Sequence, residues 1–259
     1  MTGPSGAKTL ANRLIERFPR DAQEKLSQRL ETVSLTRRQV VYDGHNPIDY
    51  VYFPITCVLS LVQLMENGAM SEAGTIGNEG MTGIGLSMGY RVPLGRVIAQ
   101  LPGDAARIDT MTLQRLSEEV PAVRHVMHRF GLSFVHQLVQ STGCNQFHSI
   151  KQRCARWLLT MHDRSPNDEM ALTHEFLAEM LGTRRATITV IVGAMQRAGF
   201  IKSTHGRIVI VDPRGLESMS CECYRAVRNK YELLMADESP PHSRGGGEAL
   251  AATLPRFRS

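Results

Sequence analysis

The sequence predicts an α+β protein with an N-terminal β-barrel or jelly roll, a long helix and a C-terminal winged helix-turn-helix. Three observations support this fold class. Short β-type segments separated by glycine turns fill much of the first half of the chain. A helical pattern runs on from Pro121, and residues 172–211 combine two short helices, a glycine turn and a hairpin.

The helix-turn-helix is the most specific pattern in the chain. Thr173 can cap its first helix, and Gly182 can adopt the positive φ that ends that helix. The second helix has an apolar inner stripe and a basic, hydroxyl-rich first turn, which is what a helix needs to enter the major groove of DNA. The predicted DNA-contacting residues are Thr173, Arg184, Arg185, Thr187, Thr189 and His205.

Some of these residues also have an interpretation that involves no contact with DNA. Taken alone, Arg184 and Arg185 could be ordinary solvated charges on a helix. His205 could be only a turn residue, or it could touch a phosphate. The glycine turn and the branched apolar residues stand at the required offsets around the two arginines, and this pattern favours DNA binding.

Residues from about 150 to 211 resemble the C-terminal winged helix of the Crp–Fnr family of bacterial regulators. The motif that carries the resemblance is Gly182-Thr183-Arg184-Arg185-Ala186-Thr187-Ile188, followed by Gly199-Phe200-Ile201 and the His205-Gly206 turn. The resemblance implies that Thr173 and Thr187 contact backbone phosphates. It also implies a palindromic operator in double-stranded DNA.

The base-reading pattern of the family is only partly matched. In the cyclic-AMP receptor, bases are read by an Arg, by a Glu one residue later, and by an Arg four residues after that Glu. Arg185 matches the first of these positions, whereas Ala186 and Val190 stand at the other two. We therefore expect an operator sequence that differs from that of the cyclic-AMP receptor.

The N-terminal half resembles the cyclic-nucleotide-binding fold of the same family in its layout. Nucleotide-binding members hold ribose with a Glu and the cyclic phosphate with an Arg that precedes a small hydroxyl residue. Here Arg91 is followed by Val and then by Pro93, which lacks an N–H donor. We expect a degenerate pocket with an unknown effector, and its candidate residues are Glu79, Gly80, Arg91 and Arg96. Alternatively, Glu79 and Arg91 are surface charges.

The expected domain organisation has five parts. They are a helical segment over 1–34, the sensor barrel over 35–120, a dimerisation helix over 121–146, the winged helix-turn-helix over 147–235 and a disordered tail over 236–259.

The predicted dimerisation helix carries a narrow apolar seam with steps of three and four residues. Its residues are Val123, Met127, Phe130, Phe134 and Leu138. In the family this position is the long helix that pairs two subunits, so we expect a homodimer with these residues at the interface. The alternative is that the seam packs on the chain's own barrel.

Five cysteines, an odd number, favour a reducing compartment over a disulfide framework. The first is Cys57, so the closely spaced N-terminal cysteines of the family's iron–sulfur members are missing, and we expect no cofactor. Cys221 and Cys223 could bind a metal or oxidise, although Cys144, Cys154 and His148 lie in another helical region. Small thiols in a terminal helix are the favoured interpretation. The alternatives are a redox- or metal-responsive regulator and an effector-independent DNA-binding protein.

Other function classes are disfavoured. The chain lacks a Gly-x-Ser-x-Gly elbow, a P-loop and a His-Glu-x-x-His motif, so we do not expect an enzyme. Residues 145–235 hold 13 Lys and Arg against 9 Asp and Glu, most of the formal net charge of +5. This excess suits phosphate binding. A long apolar run and a signal peptide are both missing, which predicts a cytoplasmic protein without membrane contact. RNA polymerase is the expected protein partner.

Overall fold

The computed structural model describes residues 12–236. The predicted disordered tail therefore lies outside the described residues, apart from Ala236. Ten strands are present in the described part of the chain: β1 (Glu31–Leu35), β2 (Val40–Tyr42), β3 (Tyr50–Pro54), β4 (Val58–Leu64), β5 (Met70–Ile76), β6 (Arg96–Leu101), β7 (Gly103–Asp109), β8 (Glu169–Met170), β9 (Ile201–Thr204) and β10 (Arg207–Ile210).

Eight α-helices are present among residues 12–236. They are α1 (Arg20–Ser27), α2 (Thr110–Glu119), α3 (Pro121–Phe147), α4 (Ile150–Arg164), α5 (His174–Met180), α6 (Arg185–Arg197), α7 (Pro213–Met219) and α8 (Cys223–Met235). Strands in the first half, a long central helix and a C-terminal helix-turn-helix confirm the predicted fold class.

The N-terminal strands form a two-sheet β-roll that does not close into a barrel. One antiparallel sheet has the order β1-β7-β3, and the other has the order β2-β6-β4-β5. Asn67-Gly68 forms the turn between β4 and β5, and Gly68 has a φ of 80°. The space between the sheets is filled by fully buried apolar side chains, among them Val51, Phe53, Leu59 and Ile108.

The long helix α3 corrects the predicted dimer interface. Val123, Met127, Phe130 and Phe134 are at most 2% exposed and belong to the core of the β-roll, and Leu138 packs against that core. A Cβ at Gly80 would overlap the ring of Phe130, so this helix lies directly on the roll. The alternative interpretation of the seam is therefore the correct one. An apolar stripe is buried by the nearest apolar surface, which here is the β-roll of the same chain.

The C-terminal half has its own core around the helix-turn-helix. Helix α4 begins with a capping box, in which the Ser149 and Gln152 side chains each bond to the backbone of the other residue. Strands β9 and β10 pair as the predicted wing, and the short β8 adds a third strand that the sequence pattern did not reveal. The core side chains include Trp157, Phe176, Ile188 and Ile208.

Helix α8 links the two halves. Its Tyr224 lies in the core of the winged helix, whereas Tyr231 and Met235 lie in the core of the β-roll. The Tyr231 hydroxyl donates a hydrogen bond of 3.0 Å to the carbonyl oxygen of Glu79. The chain thus returns from the DNA-binding half to the predicted sensor half.

Candidate nucleic-acid interface

The recognition helix α6 is anchored on one side and open on the other. Ile188, Val192 and Met195 are at most 1% exposed and fix the helix to the core. Arg184 is the N-cap residue and Arg185 the first helical residue, and both side chains are exposed. Within residues 12–236 neither arginine takes part in an ion pair. Both guanidinium groups therefore remain available for phosphates or base edges.

Thr173 is exposed at the start of α5. It is the N-cap of α5, and its hydroxyl oxygen accepts a hydrogen bond of 3.2 Å from the N–H of Phe176. The wing turn is adjacent, because a Cβ at Gly206 would lie 3.2 Å from the Thr173 methyl group. His205 is exposed at the tip of the same turn with a φ of 46°. Thr173 and His205 therefore lie on neighbouring elements.

Thr187 and Thr189 flank the buried Ile188 of α6, one residue before it and one after it. Thr189 is exposed, and its hydroxyl donates to the carbonyl oxygen of Arg185 at 3.1 Å. Thr187 is half-buried. The structure thus brings five of the six predicted contact residues to the outer surface of the winged helix and leaves Thr187 partly covered.

His174 is a residue of this surface that the sequence pattern did not single out. One ring nitrogen lies 3.1 Å from the Thr189 hydroxyl, and the other lies 3.3 Å from the Ser203 hydroxyl. Burial and the nearby positive charge of Arg185 lower the pKa of His174. A neutral imidazole can donate through one nitrogen and accept through the other. His174 therefore joins α5, α6 and the wing into one unit.

Two apolar side chains interrupt the polar face of α6. Val190 is 69% exposed, and Ala186 is exposed one turn before it. These are the two positions at which the family pattern is not matched. An exposed Val on an otherwise anchored helix offers a surface for the methyl group of thymine.

The wing adds further positive charge. Lys202 is exposed on β9, and Arg207 is exposed on β10. Arg207 is held by Glu169 of β8 at 2.5 Å, which couples the third strand to the wing. Lys202 is therefore better placed than Arg207 to attract a phosphate.

The predicted effector residues are not brought together. Glu79 is buried and forms an ion pair of 2.7 Å with Arg164 of α4. Gly80 lies under the ring of Phe130. Arg91 bonds to the carbonyl oxygen of Ile48 at 3.3 Å and lies beside Asp49, while Arg96 begins β6.

Two cavities lie near these residues. The one inside the β-roll has a volume of only about 20 Å³ and is lined mainly by apolar side chains, Pro93 and Leu94 among them. A larger cavity of about 310 Å³ lies between the roll, α3, α4 and α8, and Glu79 and Arg164 line it. Of these two cavities, the larger therefore lies at the junction of the two halves.

The winged helix touches the roll at two further places. Arg38, in the turn between β1 and β2, forms an ion pair of 2.5 Å with Glu179 of α5. The neighbouring Arg37 stacks on the ring of Phe176, with its guanidinium carbon 4.5 Å from the ring centroid. On the other side, Trp157 of α4 donates to Glu72 of β5 at 3.0 Å.

Comparison with known proteins agrees with this geometry. Residues 152–219 match the Crp-like helix-turn-helix domain. The transcriptional regulator SdrP of Thermus thermophilus is 31% identical over 77 residues, which are 27% of this chain and 38% of that protein. The chain therefore spans well under half the length of this curated relative.

Solved structures show the same fold over most of the chain. FixK2 from Bradyrhizobium japonicum matches with a TM-score of 0.63 and 17% identity, covering 74% of this chain and 98% of that one. A Crp/Fnr-family structure from Eubacterium rectale matches with a TM-score of 0.61 and 18% identity, covering 81% of this chain and 98% of the other.

The fold and the match over residues 152–219 make this chain similar to transcriptional regulators of the Crp–Fnr type. Residues 152–219 match a Crp-like helix-turn-helix domain, and the two-sheet roll with its long helix shares its fold with the Crp/Fnr-family structure from Eubacterium rectale. No helix among the described residues is long and apolar enough to cross a membrane.

Proposed function

We propose that this chain acts as a homodimeric, sequence-specific transcriptional regulator that binds duplex DNA through α6. The observation that carries this proposal is the exposed Arg184–Arg185 end of α6, which has no ion pair among residues 12–236, on a helix whose other face is buried. Its role is to bind DNA and not to catalyse a reaction. It acts in the cytoplasm, and RNA polymerase is the protein that contacts the DNA-bound regulator.

The residue roles follow from exposure and chemistry. Arg185 reads a base edge, with guanine the best match for a guanidinium fork, and Arg184 reads a neighbouring base or phosphate. Thr173, Thr187, Thr189 and His205 hold the DNA backbone and so set the register of the helix. Because Thr187 is half-buried, its phosphate contact is the least accessible of the set.

The dimer forms through the outer face of α3 and not through its seam. Leu132, Val135 and Val139 are 56%, 42% and 65% exposed, with steps of three and four residues between them. We call these three residues the exposed stripe. An exposed apolar stripe on a 27-residue helix suits pairing with a second copy of the same helix. Two-fold pairing would place the recognition helices about 34 Å apart, one turn of DNA.

The signal, whatever its source, acts at the contacts between the two halves. The Glu79–Arg164 and Glu72–Trp157 pairs both join the roll to α4, which leads into the helix-turn-helix. The cavity of about 310 Å³ at this junction is lined by four arginines and four acidic residues, so it suits a polar effector that can pair with both charges. The cavity inside the roll is small and mainly apolar, which supports a degenerate cyclic-nucleotide pocket.

Selection from a random pool of DNA duplexes tests the proposal. The full chain should enrich one motif with two-fold symmetry and with half-sites one helical turn apart. The variant with both Arg184 and Arg185 replaced by Ala should enrich nothing. Equal enrichment by the two proteins would refute the assignment of α6, and an unsymmetrical single half-site would refute the dimer.

A further inference from the structure

Four metal-ligating side chains meet at one point away from the DNA-binding surface. The ligating atoms of Cys144, His148, Cys221 and Cys223 all lie within 4.8 Å of one another. The three cysteines are at most 3% exposed and form a buried cluster of their own, separate from both apolar cores. The cluster joins the end of α3, the link from α3 to α4, and the start of α8.

The spacing of these atoms is close to that of a tetrahedral site. The sulfurs of Cys144 and Cys221 are 3.5 Å apart, and the Cys223 sulfur is 3.5 Å from Nδ1 of His148. Around a zinc ion the ligand atoms lie about 3.8 Å apart for two sulfurs and about 3.6 Å apart for sulfur and nitrogen. Small adjustments of the side chains would therefore place the four ligand atoms around an ion.

The residues around the cluster are those that orient metal ligands. The second ring nitrogen of His148, Nε2, lies 3.1 Å from the Glu222 carboxylate, which leaves the Nδ1 lone pair directed at the cluster. Gln140 donates its side-chain N–H to the Cys223 sulfur at 3.0 Å. A carboxylate behind a ligating histidine and an amide behind a ligating sulfur both fix ligand orientation.

The electrostatics also differ from those of an ordinary thiol cluster. Arg153 and Arg156 of α4 lie near Cys144, and the Nε atoms of both are buried without a hydrogen-bond partner among the described residues. Three thiolates around a dication carry one net negative charge. Nearby guanidinium groups offset that charge, whereas they add nothing to neutral thiols packed as apolar groups.

We propose that Cys144, His148, Cys221 and Cys223 bind one Zn²⁺ ion as a structural site. Each of the three thiols gives up its proton to solvent when it binds, and His148 binds as the neutral imidazole, so no oxidation or reduction is involved. Three sulfurs and one imidazole are a donor set that zinc prefers in closed, four-coordinate sites. The ion fastens α8 to the hinge between the long helix and the winged helix.

Metal analysis of the full chain tests the site. Protein purified under reducing conditions should hold about one zinc ion per chain. Replacement of the zinc by Co²⁺ should give the intense visible and near-ultraviolet absorption of tetrahedral cobalt thiolate. Cys221→Ser and His148→Ala should lose the metal. Cys154→Ser and Cys57→Ser are matched controls, since both are buried cysteines outside the cluster, and should keep it.

A second measurement on the unsubstituted chain covers the case in which the Cys221→Ser variant fails to fold. A maleimide reagent should label Cys144, Cys221 and Cys223 only after a chelator removes the metal, while Cys154 should label equally slowly throughout. The proposal would be overturned if the purified protein contained no zinc and gave no cobalt spectrum. It would also be overturned if Cys144 and Cys221 formed a disulfide in protein freshly purified under reducing conditions. Because no DNA is present in these assays, either result leaves the proposed function standing.

Discussion

The indole N–H of Trp157 donates to the carboxylate of Glu72 at 3.0 Å, and this bond crosses from the winged-helix half to the β-roll. The same carboxylate accepts from Ser60 at 2.9 Å and from Gln100 at 3.0 Å, both within the roll. Burial outweighs these donors and raises the pKa of Glu72 above its ordinary value. One desolvated acid thus joins the two halves.

The first prediction concerns the pH dependence of stability. Because the pKa of Glu72 is raised in the folded chain, the native state holds this proton over a pH range in which the unfolded state has lost it. The contribution of Glu72 is therefore most favourable below the unfolded pKa and is lost as the pH rises through the folded pKa. Glu72→Gln should remove this decline.

Denaturant unfolding measured at several pH values checks this first prediction. Trp157 is the only tryptophan and reports directly on the junction by its fluorescence. The Oε1 atom of Gln100 has no partner within residues 12–236, so a flip of this amide can accept the new N–H of a glutamine at position 72. If the free energy of unfolding of Glu72→Gln depends on pH as it does in the unsubstituted chain, other titratable groups cause that dependence.

The second prediction isolates the bond between the two halves. Trp157→Phe keeps an aromatic ring in the core but removes the donor, and should cost about 1–3 kcal/mol of unfolding free energy. The cost should shrink when Glu72→Gln is already present, since the acceptor has changed. Far-ultraviolet circular dichroism follows unfolding in all four proteins. Equal costs in the two backgrounds would show that Trp157 acts through packing alone.

The third prediction concerns base reading by Val190. If this exposed side chain contacts a thymine methyl group, replacing that thymine by uracil should weaken operator binding about fourfold, the value of one buried methyl group. Val190→Ala should lose the same amount and should be insensitive to uracil. Fluorescence anisotropy with the selected operator provides the four affinities. A Val190→Ala protein that still discriminates thymine from uracil would place the contact on another residue.

The fourth prediction separates the dimer face from the buried seam of α3. Replacing Leu132 and Val139 of the exposed stripe by Glu should yield a folded monomer in sedimentation velocity, with operator affinity sharply reduced. Leu233→Glu is the matched control, because this leucine is 68% exposed on α8 and outside the stripe. It should leave the dimer intact.

A substitution in the buried seam of α3 should have the opposite effect, a loss of stability without a change of oligomeric state. Phe130→Ala should destabilise the roll by about 3–5 kcal/mol because it leaves a cavity, with the oligomeric state unchanged while the chain is folded. A stable monomer from Phe130→Ala would contradict the assignment of this side chain to the core of the roll.

The sequence was informative where local rules decide the structure. Thr173 as N-cap, Gly182 at a φ of 62° and the Asn67-Gly68 turn are set by residues close together in the chain, and the structure has all three. Local rules do not predict which side of α3 faces the roll. The seam and the exposed stripe are both apolar at helical spacing, and only the tertiary surface beneath Phe130 distinguishes them.

Contacts between residues that are far apart in the sequence could not be predicted either. Cys144 and Cys221 are separated by 77 positions, so their meeting depends on α8 returning to the end of α3. The Cys144-x₃-His148 and Cys221-x-Cys223 spacings were visible in the sequence, but nothing in a linear pattern placed them together. The same holds for His174, whose role depends on the wing packing beside α6.

The salt dependence of operator binding tests the central claim most directly. Titrations of the selected operator at several salt concentrations should show the Arg184→Ala/Arg185→Ala protein binding far more weakly, with a shallower salt slope because phosphate contacts are lost. Arg185→Ala alone should cost about 1–3 kcal/mol, concentrated at one operator position. Unchanged affinity and an unchanged slope in the double variant would contradict the placement of α6 in the major groove.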